Sequence, residues 1–258
     1  MPHVPARFPS GLSTGTPGSL MANYRFPSPI SAYEYVNDFS TYAAGDWVVT
    51  STNSGTSALV DGEGGLLTQT TGATTTNYQY NELAKKSFYM VTGYQHWFWI
   101  NFKLGDIAHT SMLAGWVDTL AGPGTPGSGV YFSKADTSAT LNLILNNAST
   151  TTTLTVGTIA ASTAYTVGWY YDGRSTPTLY VYSSIGLSLP VLFENSYQVY
   201  GGVVVNSAGA NAPVNTSLAN LPASTVGHTL GFGIATGTNT AHTLTSDYVG
   251  GCSAVNRF

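Results

Sequence analysis

Apolar and polar residues alternate with a period of two along most of the chain. Between His96 and Lys103, Phe98, Ile100 and Phe102 fall on one side, and Trp97, Trp99, Asn101 and Lys103 on the other. A half-buried strand reads this way, because successive side chains point to opposite faces of a sheet. Leu141, Leu143 and Leu145 alternate with Asn142, Ile144 and Asn146; Val167, Trp169 and Tyr171 repeat the pattern, as do Leu179 and Val181, then Leu230, Phe232 and Ile234. Shorter β-rich runs occupy 35–39, 46–50, 57–61, 65–70, 112–118, 129–133, 151–156, 202–206 and 243–249. Turn clusters such as Gly122-Pro-Gly-Thr-Pro-Gly127 and Asp172-Gly-Arg-Ser-Thr-Pro177 separate them. No window of a dozen residues has a helical face. The pattern predicts an all-β fold, a two-sheet antiparallel jelly-roll sandwich.

The first 32 residues break this rhythm. Six of the twelve prolines lie before residue 30, and no period of two or 3.6 is present. Each proline removes a donor and pushes its predecessor into an extended conformation. The organisation predicted is an extended arm over 1–32 and a sandwich domain over 33–258, with 207–227 (containing Pro213 and Pro222) as a long surface loop. The arm carries Arg7 and Arg25 and the apolar Phe8, Leu12, Tyr24 and Phe26. Such side chains need burial, so the arm is expected to order on a partner or a neighbouring subunit.

Charge narrows the function. Only 20 of 258 residues are charged, 8 Lys+Arg and 12 Asp+Glu, with a net charge of -4. Eight dispersed cations cannot track phosphates, which argues against nucleic acid. Thr (36) and Ser (26) build much of the surface instead. The single cysteine, Cys252, allows no internal disulfide and no thiolate zinc site. No apolar run has the length of a signal peptide or a membrane span, so the expectation is a soluble chain made in the cytoplasm. The triplets Asn147-Ala-Ser149 and Asn215-Thr-Ser217 read as chance in an Asn/Thr-rich chain.

Motifs that resemble chemistry lack their context. Gly11-Leu-Ser-Thr-Gly15 has the spacing of a serine-hydrolase elbow but sits in the arm, with neither the strand nor the helix that elbow requires. Gly122-x-Gly-x-x-Gly127 has a dinucleotide spacing, yet Pro123 and Pro126 remove amides and the segment leads into a strand. His3, His96, His109, His228 and His242 show no metal-pair spacing. His228 and His242 flank an expected hairpin turning near Thr238-Asn239, in which they are not neighbours. The carboxylate run E-x-D-x-x-E of sandwich glucanases is absent, and the close pair Asp61 and Glu63 lies in a Gly-rich turn. The expectation is a protein that is not an enzyme, with no cofactor and no metal. Trp97 and Trp99 share a face, as do Tyr78 and Tyr80, and Tyr180 and Tyr182. If the opposite faces form the core, these aromatics lie outside, and Trp97, Trp99, Tyr180 and Tyr182 are candidates for contact with a glycan or a second subunit.

Two groups of stretches each carry a resemblance. Tyr35 to Thr50, Gly168-Trp-Tyr-Tyr-Asp-Gly173 with Thr178 to Tyr182, and the closing runs Leu230 to Ala235 and Leu244 to Val249 resemble concanavalin A-like, laminin-G-like jelly rolls, whose first strand pairs with the last. Met1-Pro-His-Val-Pro-Ala-Arg-Phe-Pro-Ser-Gly11 and Asn37 to Trp47 resemble tailed-bacteriophage virion proteins, the capsid decoration (cement) proteins that cover the major capsid lattice. The resemblance implies a structural protein on the capsid exterior. It would bind the major capsid protein and neighbouring copies of itself through Arg7, Phe8, Leu12, Tyr24, Arg25 and Phe26, as a dimer or trimer. A long insertion over 186–227 departs from that pattern. The same folds serve in tail fibres and host-binding modules, so a carbohydrate-binding, lectin-like role stands as the alternative.

Overall fold

The computed structural model describes residues 32–62, 64–120, 126–148, 150–173, 179–185, 203–204 and 220–254. These form two antiparallel sheets packed face to face, as the period-two pattern predicts. Sheet I runs β14 (Val203–Val204), β13 (Leu179–Ser183), β12 (Ala164–Tyr171), β7 (His96–Leu104), β16 (Thr243–Ala254), β4 (Leu66–Thr70), β3 (Thr56–Val60). In the same sheet β1 (Ala32–Asn37) pairs with residues 249–254 of β16. The first strand thus pairs with the last. Sheet II runs β11 (Thr150–Thr158), β10 (Thr140–Asn147), β9 (Ser128–Lys134), β8 (Thr110–Val117), β15 (Gly227–Thr236), β5 (Tyr78–Leu83), β2 (Trp47–Ser51), with the short β6 (Phe88–Tyr89) also on β15. A 3-10 turn, Ala44–Asp46, leads into β2.

The alternating residues fill the space between the sheets. Phe98, Ile100 and Phe102 of β7, Leu141, Leu143 and Leu145 of β10, and Leu230, Phe232 and Ile234 of β15 are all fully buried in one core. Trp116 and Trp169 meet edge to face at 4.9 Å, and Phe88 stacks on Trp116 at 4.5 Å. Pairs of this kind add about 0.5–1.5 kcal/mol each beyond the area they bury. Towards β2 and β3 the interior turns polar. Gln69 Nε2 donates to Asn81 Oδ1 (3.0 Å), Ser57 Oγ to the same oxygen (2.8 Å), and Asn81 Nδ2 to the Tyr42 hydroxyl (3.0 Å). That network hydrogen-bonds the Gln69 amino group and both ends of the Asn81 amide where the core thins.

One connection differs from expectation. β15 and β16 do not form a hairpin, because β15 belongs to sheet II and β16 to sheet I. Leu230, Phe232 and Ile234 on one strand and Leu244 and Val249 on the other are all buried in the common core, facing it from opposite sheets. The segment 237–242 therefore crosses between layers. The 207–227 loop lies mainly outside the described residues, as does most of the 186–227 insertion.

Candidate functional site

The outer face of sheet II is set by what its strands send inward. With Leu230, Phe232 and Ile234 committed to the core, Gly231, Gly233 and Ala235 point out; β8 sends out Ser111, Leu113, Gly115 and Val117 in the same way. Glycines in central strands leave no side chain above the sheet and let neighbours lie close to the backbone. A Cβ on Gly233 would stand 2.0 Å from the Tyr80 ring and 2.4 Å from the Gln79 carbonyl oxygen. Tyr80 therefore lies across Gly233. Tyr131, Leu113, Val117 and Leu120 join it in a second, smaller apolar cluster outside the main core.

Beside this cluster runs a groove of about 500 Å³ that crosses sheet II from Tyr80 to Thr151 and Thr153. This size falls within the roughly 300–1,000 Å³ of small-molecule sites. Tyr80, Tyr131 and Leu113 are nearly buried and make an apolar floor with Ile144, while Ser111, Ser133, Thr151, Thr153 and Asp136 supply uncharged and charged polar groups. Burial lifts the Tyr131 phenol to about 12, with Asn146 opposing and Asp118 adding. The floor thus stays uncharged at neutral pH.

At one end of the groove lies a set of ionisable side chains from three loops and the end of β9. Lys134 is fully buried, and its ammonium donates to the Thr110 carbonyl and to that of Ala135 (3.1 Å). Burial lowers its pKa, while Asp136 and Asp106 oppose the shift. Burial also pushes the Asp106 carboxyl up. The Ala108 and His109 amides (3.1 and 3.0 Å), with the His242 and His109 imidazoles, outweigh that and hold it below the usual carboxylate range. His242 Nδ1 stands 3.5 Å from Asp106, and its Nε2 is 3.1 Å from the Thr238 hydroxyl. Among the described residues, no three His, Cys, Asp or Glu side chains converge as a metal site.

Past the opposite end, Glu82 of β5 points outward under Leu120. Burial raises its carboxyl, with the Leu120 amide and Lys86 opposing and Asp118 adding.

Trp97, Trp99, Tyr180 and Tyr182, the aromatics that the sequence offers for contact with a glycan or a second subunit, occupy the other layer. Trp97 pairs with Tyr170 and Tyr170 with Tyr180, and the three rings stack at 5.1 and 5.6 Å. Trp99 covers Gly250, where a Cβ would stand 2.4 Å from its indole. The row lies on the outer face of sheet I, but Trp97 and Tyr182 are buried, at 9% and 5% exposure. The reason for Trp97 is local: Tyr170, Cys252 and Trp99 pack around it. Arg7, Phe8, Leu12, Tyr24, Arg25 and Phe26 of the arm lie outside the described residues. Tyr131, Ser133 and Thr153 had no motif to mark them. The glycines of Leu230-Gly-Phe-Gly-Ile234 were the available signal, since they predict close approach over the outer face.

No protein-family model matches the chain, and no curated protein sequence matches it. Solved structures do. A protein of unknown function from Shewanella oneidensis MR-1 superposes with a TM-score of 0.58 at 14% identity, covering 96% of this chain and 97% of that one. Peanut lectin superposes at 0.52 and 13%, over 86% and 97%. The endo-1,3-β-glucanase of Streptomyces sioyaensis superposes at 0.50 and 15%, over 88% and 98%. The fold is a concanavalin A-like jelly roll. Identities this low bear on the fold alone.

The glucanase corrects one expectation. This jelly roll is also an enzyme scaffold, so the fold does not support the reading that the chain is no enzyme. That reading rested on the missing carboxylate run within one strand. A run within one strand is too strict a criterion, because register across a sheet brings together residues far apart in sequence, as Glu82 of β5 lies opposite Gly231 of β15.

Proposed function

We propose that the jelly roll binds carbohydrate in the groove of sheet II. The carrying observation is the groove itself, an apolar floor of Tyr80, Tyr131, Leu113 and Ile144 edged by Ser111, Ser133, Thr151, Thr153 and Asp136. A sugar is amphipathic in the same sense, with C–H faces that favour apolar contact and hydroxyls that exchange hydrogen bonds with uncharged polar groups. Peanut lectin and the glucanase, two proteins named for sugars, share the fold, which supports the reading. The test is an oligosaccharide array probed with the full chain and with Ser133→Trp, which fills the groove. Binding that disappears in Ser133→Trp and persists in Trp99→Ala supports the assignment. Binding that survives Ser133→Trp overturns it.

A second reading, compatible with the first, is decoration of a phage capsid, with the chain on the virion exterior against the major capsid protein. It is favoured by the likeness of Met1 to Gly11 and Asn37 to Trp47 to virion proteins, and by the scarcity of charge. Many like-charged copies packed within a Debye length of about 8–10 Å would repel one another. Co-sedimentation with purified shells tests it: the full chain should pellet with them and the chain lacking 1–32 should not. Equal pelleting of both removes the arm from the assignment.

A further inference from the structure

We infer that the flank formed by β2 and β3 is a self-association surface, taking a second copy of this chain about a two-fold axis. The inference depends on neither functional reading above. Six large hydrophobic residues are exposed among the described ones, and four of them, Val48, Val49, Leu59 and Val60, lie on these two strands. β2 ends sheet II and β3 ends sheet I, so the two edges border the same side of the sandwich. Among the described residues β2 pairs only with β5, and β3 only with β4. Each leaves a row of backbone donors and acceptors open to pairing.

Side-chain direction adds to this. Trp47 is buried between the sheets, and Val49, two residues on, points the same way but is 43% exposed. Leu59 pairs with the fully buried Leu67 and shares its face, yet is 44% exposed. The interior is therefore open along this flank, and its apolar margin continues into solvent.

The occupant follows from charge and symmetry. Natural edge strands are usually guarded by Lys, Pro or a bulge. Residues 47–60 contain no charged residue and no proline, and both strands pair without a register shift. A two-fold contact sets the same patch against itself, so like charges on the flank would be brought together near the axis. An uncharged edge meets itself without that penalty, and it offers a foreign partner no electrostatic address. Five-residue strands span about 17 Å and the sheets stand about 10 Å apart. That outline is roughly 170 Å² before side chains are added, well below the roughly 1,200 Å² in total of stable complexes, which makes the dimer a weak, concentration-dependent one.

Sedimentation velocity of the full chain, from micromolar to sub-millimolar concentration, tests this. The wild type should move from the 27.1 kDa monomer towards twice that mass. Val49→Lys/Leu59→Lys should weaken association at least tenfold, and Val49→Thr/Leu59→Thr, which keeps strand preference, should weaken it in the same direction. Tyr89→Lys, an exposed apolar residue on β6, should associate like wild type. A wild type that stays monomeric throughout overturns the inference. So does a dimer that persists in both flank variants with unchanged near-ultraviolet circular dichroism, or one that Tyr89→Lys disrupts equally.

Discussion

Two buried imidazoles should make this fold lose stability in mild acid. His96 is fully buried between Trp116 (5.4 Å) and Tyr171 (5.7 Å), with Nδ1 2.8 Å from the Ser253 hydroxyl. Burial lowers its pKa from 6.5 to about 4, although the Val91 carbonyl opposes this. His228, 3.1 Å from the Ser128 hydroxyl, is lowered by burial to about 4 as well. Both folded values lie below the unfolded one, so the unfolded chain binds more protons between these limits. Stability from this source is complete above pH 6.5 and is lost as the pH falls towards 4. At about 1.36 kcal/mol per pH unit, each imidazole costs about 2 kcal/mol at pH 5 and about 3 kcal/mol once the window is crossed. Urea unfolding at a series of pH values measures this directly. His96→Phe keeps the ring packing but removes the proton site. The variant should start lower at neutral pH, because Ser253 loses its partner, at a cost of about 1–3 kcal/mol. Its stability should then fall with pH less steeply than that of wild type, by up to one proton. The difference between the two slopes isolates the imidazole from every carboxylate in the protein. Parallel curves for wild type and variant would refute the reasoning.

Two further outcomes are expected. Gly233→Val places a side chain within 2.0–2.7 Å of Tyr80 and the Gln79 carbonyl oxygen, and must push β5 away from β15. It should lower stability by about 1–3 kcal/mol or more in urea unfolding, where Gly45→Ala, with nothing within 4 Å of its Cβ, stays near wild type. Cys252 is 4% exposed, and burial, with Glu34 adding, pushes its thiol up to about 12. A thiol reagent at mildly alkaline pH should leave the native protein unmodified and label it fully in denaturant, whereas rapid native labelling would contradict the packing against Trp97.

Period-two alternation carried most of the fold. Spacing alone puts Phe98, Ile100 and Phe102 on one side of their strand, and Leu141, Leu143 and Leu145 on one side of theirs, because a half-buried strand writes its two faces directly into the sequence; these are the sides that the core takes. The connection from β15 to β16 was not readable in the same way. Two apolar strands joined by a short polar turn look identical whether they pair side by side or face each other across a core. Only the sheet partners of Leu230 and Leu244 distinguish these cases. The groove was harder still. Tyr80 and Tyr131 lie 51 positions apart, and Ser133 and Thr153 carry no motif. What unites them is register across β5, β15, β8, β9, β10 and β11, together with glycines whose meaning depends on the strands beside them. The aromatic row was legible as one face, since Trp97 and Trp99 are two residues apart. The burial of Trp97 was not, because Tyr170 and Cys252 reach it from other strands.

The groove assignment can be tested most directly by mapping amide chemical-shift changes on an isotope-labelled sample titrated with an array-selected oligosaccharide. The carbohydrate reading predicts saturable shifts at Ser111, Leu113, Ser133, Thr151 and Thr153 on the outer face of sheet II, with Trp97, Trp99 and Tyr180 unmoved. Shifts confined to the Trp97, Tyr170 and Tyr180 row on sheet I would contradict it.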